Sequence, residues 1–71
     1  MSKIKIKIKI NGNEVEIENN STVQNLLDIR KVTGTMFVVE KNLEIIPKDQ
    51  YNQVLVKEND NYEVVGFFGG G

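Results

Sequence analysis

Near its start the chain reads Lys3-Ile4-Lys5-Ile6-Lys7-Ile8-Lys9-Ile10, followed by Asn11-Gly12 and then by Asn13-Glu14-Val15-Glu16-Ile17-Glu18. A β-branched residue that alternates with a charged residue at period two is typical of a half-buried β-strand. Asn-Gly is the favoured pair for a two-residue type I′ hairpin turn. These residues therefore predict an antiparallel hairpin, with Ile4 and the three later isoleucines on one face and the lysines on the other.

The turn also predicts the pairing register of this hairpin. With Asn11-Gly12 as the loop, apolar pairs meet on one face and opposite charges meet on the other: Ile8 with Val15, Ile6 with Ile17, Lys9 with Glu14, Lys7 with Glu16 and Lys5 with Glu18. Such pairs contribute roughly 0.2–1 kcal/mol each. The lysines can be interpreted as an anion-binding stripe or as a solvated face that the glutamates neutralise, and the pairing favours the second interpretation.

A short helix is predicted after the break at Asn19-Asn20. Ser21 with Gln24 three residues later is a capping-box pattern. The apolar residues that follow have the helical spacing i, i+3, i+4: Val23, Leu26 and Leu27. The helix is expected to end near residues 30–31, where cations suit its C-terminus.

A third strand is predicted at residues 36–39, after a loop at 33–35. The chain should then turn back at residues 41–44 toward Ile45-Ile46. Leucine tolerates a positive φ poorly, so Leu43 argues against a two-residue turn and for a loop of about three or four residues.

Pro47 is expected to stop the short strand and to begin a 3₁₀ or α turn. Asn59 is a candidate for a left-handed residue in the following loop. The last strand is predicted at 62–68, with Tyr62 and Val64 toward the core. Val65 and Phe67 would then face outward, and exposed apolar residues on small domains often mark partner surfaces.

Composition limits the functions available to these 71 residues. One domain is expected, and the absence of cysteine and histidine excludes a disulfide framework, a Cys/His zinc site and the usual nucleophile–base pairs. A net charge of −1 argues against nucleic acid as a partner. No apolar run approaches the ~18 residues of a membrane span, and no signal peptide is visible, so a cytoplasmic protein is expected.

The sequence ends on Gly69-Gly70-Gly71. Glycine has no side chain and many allowed backbone conformations, so this end could enter a narrow channel and expose its carboxylate to attack. Residues 1–68 are therefore predicted to form the domain, and residues 69–71 a flexible tail whose working group is the carboxylate of Gly71. A frayed terminus or a residual linker is the alternative.

In its order of elements the whole chain resembles the ubiquitin-like β-grasp proteins, and among them the ThiS family of small sulfur carriers. The resemblance is carried by short segments along the chain: residues 10–12 with Glu14, 22–27, 39–42, 44–48, 58–60 and 67–71. The family usually has glycine where this chain has Leu43 and Asn59, and an apolar residue where it has Lys41. The resemblance implies an α+β fold, with a mixed sheet of four to five strands packed on one helix.

The resemblance also implies a carrier that is not itself an enzyme and binds no cofactor or metal. An E1-like, ThiF-like enzyme would adenylate Gly71 with ATP and magnesium. A persulfide protein would supply sulfur, and the resulting thiocarboxylate would serve a ThiG-like thiazole synthase. The surface that binds the partner is predicted at Val65, Phe67 and Phe68.

Three other interpretations remain open at this point. A molybdopterin-type sulfur carrier would use the same tail chemistry with a different acceptor. A protein modifier would join Gly71 to a lysine. A plain β-grasp binding module would have an inert tail.

Overall fold

The computed structural model describes residues 4–69, with side chains through residue 66. The elements within this range are β1 (Lys5–Ile10), β2 (Asn13–Glu18), α1 (Val23–Ile29), β3 (Thr33–Lys41), β4 (Glu44–Ile46), a 3₁₀ turn (Lys48–Gln50) and β5 (Asn61–Gly69). The strands form one sheet in the order β2-β1-β5-β3-β4. The predicted mixed sheet with one helix is confirmed, because β1 and β5 are parallel and the other neighbours are antiparallel.

The first hairpin has the predicted register, from Ile10 opposite Asn13 to Lys5 opposite Glu18. Asn11 and Gly12 have φ values of 50° and 83°, as a type I′ turn requires. The isoleucines within β1 are buried against the core. Ile4 lies before the first residue of β1, and its side chain is 80% exposed.

The last strand lies in the centre of the sheet, between β1 and β3. Its inward residues Tyr62 and Val64 are buried at 0% and 4% exposure. Beyond the end of β1, the Asn11 side chain continues the pairing with β5: its amide oxygen accepts from the Val64 N–H at 2.8 Å, and its Nδ2 donates to the Val64 carbonyl at 3.2 Å.

Helix α1 buries the predicted residues Val23, Leu26 and Leu27. The predicted capping box is wrong by one residue. Thr22 is the N-cap and exchanges hydrogen bonds with Asn25, over 3.1 Å to the threonine hydroxyl and 2.9 Å to the asparagine amide oxygen. Ser21 does not cap, because its hydroxyl donates instead to the Glu18 carbonyl at 2.7 Å.

Strand β3 is longer than predicted, because the supposed loop at residues 33–35 belongs to it. The expected loop of three or four residues at 41–44 is also wrong. Lys41 pairs with Glu44, which leaves a two-residue turn in which Asn42 and Leu43 have φ values of 50° and 74°. Tertiary contacts hold this turn, since the Asn42 side chain accepts from the Asn61 N–H at 2.9 Å and donates to Asp60 at 3.2 Å.

Two other local predictions are confirmed. Pro47 ends β4 and immediately precedes the 3₁₀ turn. Asn59 adopts a positive φ of 71°.

Candidate functional site

The face of the sheet that is turned away from α1 carries an exposed apolar surface. We call it the outer-face patch and define it by Met36, Val38, Ile45 and Val65. Val38 lies directly opposite Val65 in the β3–β5 pairing, with exposed fractions of 41% and 52%. Met36 and Ile45 are each 68% exposed. Apolar side chains from three strands therefore meet on the surface beside the last strand, a feature typical of a protein-binding site.

An acidic pair lies next to this patch. Glu40 faces Glu63 across β3 and β5, and Ile45 faces Glu40 from β4. Like charges directly opposite each other destabilise a sheet. Among the described residues, neither carboxylate is held in an ion pair. The outer-face patch thus has a negatively charged border on the side toward the start of β5.

A hydrogen-bonded network holds the start of β5. The Asp60 carboxylate accepts from the Lys57 N–H at 2.8 Å and from the Tyr62 hydroxyl at 2.8 Å, and Lys41 Nζ lies 3.6 Å away. Burial raises the pKa of Asp60, but the hydrogen bonds from Lys57, Tyr62 and Asn42, with the charge of Lys41, outweigh it and hold that pKa below its ordinary value. Burial and the same carboxylate raise the pKa of Tyr62. These groups are structural, because they anchor β5 and the turn after β3.

One glycine lets β5 pack closely on β3. Gly66 has a φ of 126° and lies opposite Phe37. A Cβ atom at Gly66 would lie 2.3 Å from the Met36 carbonyl oxygen and 2.8 Å from the Phe37 Cα. Only glycine fits here without a shift of the backbone. In the sequence, Gly66 lies between Val65 of the outer-face patch and the terminal glycines, residues 69–71.

The predicted site residues are only partly within the described region. Val65 is exposed on the outer face, in the orientation predicted from strand alternation. The side chains of Phe67 and Phe68, and the tail residues Gly70 and Gly71, lie outside the described residues. Gly69 is the last residue of β5. The boundary between the domain and a flexible tail, predicted after residue 68, stays a prediction.

Sequence reasoning missed three members of the outer-face patch: Met36, Val38 and Ile45. The run of apolar residues at 36–39 has no alternation, so it does not show which side chains point outward. The pairing of Val38 with Val65 supplies that information. A strand-pairing signal between residues 36–41 and 62–67 would have found Met36 and Val38, and one between residues 39–41 and 44–46 would have found Ile45.

The described residues offer little to a metal or cofactor. Within residues 4–69, no group of three or more acidic side chains is arranged to hold a metal ion. An open depression of about 590 Å³ is lined by side chains of both signs, Lys7, Lys9, Glu14 and Glu63 among them. Such a mixed lining does not form a specific anion site. No helix in the described range is long and apolar enough to cross a membrane.

A mixed five-stranded sheet on one helix, whose central last strand leads into a glycine end, defines a ubiquitin-like β-grasp protein. The crystal structure of the thiamine biosynthesis protein ThiS from Geobacter metallireducens has this fold. It superposes with a TM-score of 0.78 at 28% identity, over 93% of this chain and 100% of that one. The model of the ThiS family matches residues 8–71. The chain therefore belongs to the ThiS family.

Two relatives are similar in sequence. The sulfur carrier protein ThiS of Bacillus subtilis is 37% identical over 54 residues, which cover 76% of this chain and 82% of that protein. A thiazole synthase of Paramagnetospirillum magneticum is 44% identical over 60 residues, or 84% of this chain. The chain spans only 18% of the length of that synthase.

Proposed function

We propose that this chain is a sulfur carrier for the thiazole of thiamine, and that the carboxylate of Gly71 carries the sulfur. The observation that supports this most is the family match, which extends through the glycine end to residue 71. The similarity to a ThiS protein and to a thiazole synthase favours the thiamine pathway over the molybdopterin pathway.

The proposed chemistry suits the residues of the chain. A carboxylate is a poor electrophile, so a ThiF-like partner adenylates it with ATP and magnesium, which makes one oxygen part of a leaving group. The terminal sulfur of a persulfide protein then attacks the acyl carbon, and AMP leaves. A thiol cleaves the S–S bond of the resulting acyl disulfide, which releases the thiocarboxylate and leaves the donor protein in a disulfide with that thiol. With neither histidine nor cysteine in the sequence, the chain leaves acid–base and nucleophilic steps to its partners. It acts in the cytoplasm, and it delivers the thiocarboxylate to a ThiG-like thiazole synthase.

The described structure supports a carrier that presents its end beside a docking surface. Strand β5 is paired on both sides near its start and leads from the buried Tyr62 past the outer-face patch to Gly69. The patch would bind the adenylating enzyme through apolar contact. Because Val65 lies on the same strand as the glycine end, docking there also directs that end toward the enzyme.

Removal of Gly70 and Gly71 tests the chemical claim. The truncated chain should fold as before, because the core lies within residues 6–64. It should not be adenylated, since a misplacement of even 1 Å can cost about 10²-fold in rate. The measurement is intact-protein mass after incubation with ATP, magnesium, a sulfur donor and a ThiF-like enzyme.

The full-length chain should gain the mass difference between sulfur and oxygen, and fragmentation should place it on Gly71. Modification of the truncated chain would place the chemistry elsewhere. A chain that gains the mass of a substrate protein would be a modifier. If the enzyme acts on neither form, a binding module with an inert tail is the better interpretation.

Val65→Asp tests the docking surface. A charge at this exposed position should raise the KM of the adenylating enzyme about tenfold or more, because burying an unpaired carboxylate in an apolar contact is costly. Leu55→Asp is the matched control, since Leu55 is 39% exposed and lies outside the patch. Equal KM values for the two folded variants would refute the role of Val65.

A further inference from the structure

The pairing of β3 with β5 contains an irregularity close to the glycine end. Met36 lies opposite Phe67, and the next described partners are Thr33 and Gly69. Three residue steps on β3 therefore match two on β5, so β3 carries one extra residue. Gly34, with a φ of 87°, lies between Thr33 and Met36, where the register shifts. This is the geometry of a β-bulge whose first residue is a left-handed glycine.

A side chain from a distant part of the sequence holds this bulge. Lys48 Nζ, at the start of the 3₁₀ turn, donates a hydrogen bond to the Thr35 carbonyl. The same ammonium lies 5.8 Å from the centre of the Phe37 ring. Phe37 in turn stacks on Tyr51, with ring centres 6.2 Å apart. Lys48 thus ties the bulge to the buried aromatic pair on the helix side of the sheet.

We propose that the Gly34 bulge, held by Lys48, positions the glycine end for the activating enzyme. Bulges redirect a strand or end its pairing. Here the bulge shifts the register by one residue, so that Thr33 and not Gly34 is the partner of Gly69, two residues from the carboxylate of Gly71. Gly34 and Lys48 are positioning residues, and they act by ordering the strand end before the partner binds. The inference rests on the proposed function.

The expected effect follows from chain entropy. Ordering the backbone of one residue changes an equilibrium by about tenfold. A chain that is already ordered through Gly69 avoids that penalty when its end enters the enzyme. Loss of the bulge therefore shifts this ordering into the binding step, which raises KM and leaves the chemical step unchanged.

Gly34→Ala and Gly12→Ala form a matched pair for the test. The two glycines have nearly the same φ, 87° and 83°, and a Cβ at either meets no atom within 4 Å. Both variants therefore carry the same backbone strain, but only Gly34 is near the strand end. We expect Gly34→Ala to raise the KM of the ThiF-like enzyme about tenfold with kcat within about twofold. Gly12→Ala should leave both constants at the wild-type values.

Lys48 supplies a second, milder test. Lys48→Met removes the hydrogen-bond donor and keeps the apolar part of the side chain, and we expect the KM of the ThiF-like enzyme to rise about threefold. In Lys48→Arg the KM should return toward the wild-type value, because a guanidinium can also donate to the Thr35 carbonyl. Lys57→Met is the control at an exposed lysine. In ¹⁵N relaxation, the order parameter of the Gly69 amide should fall from about 0.85 to below about 0.6 in Gly34→Ala.

The outcomes separate this inference from the proposed function. If the enzyme does not form a thiocarboxylate on the wild-type chain, both fail. If it processes the wild type but the KM values of Gly34→Ala and Gly12→Ala are equal, the inference alone fails. If Gly34→Ala does not fold, Lys48→Met provides the test. An unchanged KM in Lys48→Met, or a KM in Lys48→Arg that does not return toward the wild-type value, overturns the inference.

Discussion

Gly66→Ala should be among the most damaging single-methyl changes in this chain. The added Cβ would lie 2.3 Å from the Met36 carbonyl oxygen, whereas ordinary contact begins near 3.4 Å, so one strand must move by the difference, 1.1 Å. The φ of 126° lies in a region that side chains rarely adopt. Such backbone strain costs about 1–3 kcal/mol.

The clash adds to this strain, because β3 can move away from β5 only by weakening the ladder on both sides of Phe37. Overpacking of this kind costs about 1–3 kcal/mol. The two terms together predict a loss of about 2–6 kcal/mol, with the upper end reached if the strands cannot adjust. The whole stability of small domains lies near the lower end of about 5–15 kcal/mol, so the variant should be largely unfolded or close to it.

Urea denaturation followed by far-ultraviolet circular dichroism measures this loss. Gly12→Ala is the control, since it has positive φ strain without a contact within 4 Å. It should lose about 1–2 kcal/mol. A loss for Gly66→Ala below about 1 kcal/mol, or one no larger than that of Gly12→Ala, would refute the close approach of β5 to β3.

Two further predictions concern the turn after β3 and the hydrogen-bonded network around Asp60. Leu43→Gly should raise the free energy of unfolding by about 0.5–1 kcal/mol, because it relieves the strain of a φ of 74° at a residue whose side chain is 84% exposed. Leu43→Ala, which keeps the Cβ, is the control and should show no such gain in urea denaturation. An equal gain in the two variants would attribute the effect to loss of the leucine side chain and not to relief of the backbone. Asp60 has a lowered pKa, so its contribution to stability is present above the ordinary value of 3.8 and is lost as the pH falls through the lower folded value. Asp60→Asn should therefore be less stable than the wild type at pH 7, and the difference should shrink below about pH 4 in melts across that range; a difference independent of pH would exclude the carboxylate charge as its cause.

The sequence by itself determined the first hairpin and its register. Alternating isoleucine and lysine, a turn of Asn11-Gly12 and alternating glutamate are local signals, and a shift of one residue would place lysine opposite valine. The helix residues and the exposure of Val65 also followed from local periodicity. Each of these features depends on neighbours within a few residues, or on one strand, so no knowledge of distant contacts was needed.

The tertiary structure decided the features that depend on residues far apart in the sequence. Leu43 disfavours a two-residue turn, yet the turn forms because Asn42 bonds to Asp60 and Asn61 at the start of β5. Thr22 caps the helix because Ser21 is engaged by Glu18.

The outer-face patch has the same origin. Val38 and Val65 are 27 positions apart in the sequence, and only the antiparallel pairing of β3 with β5 places them side by side. An unbroken apolar run such as residues 36–39 contains no period from which its outward residues can be determined. Which side chains share the surface beside the glycine end was therefore decided by strand pairing.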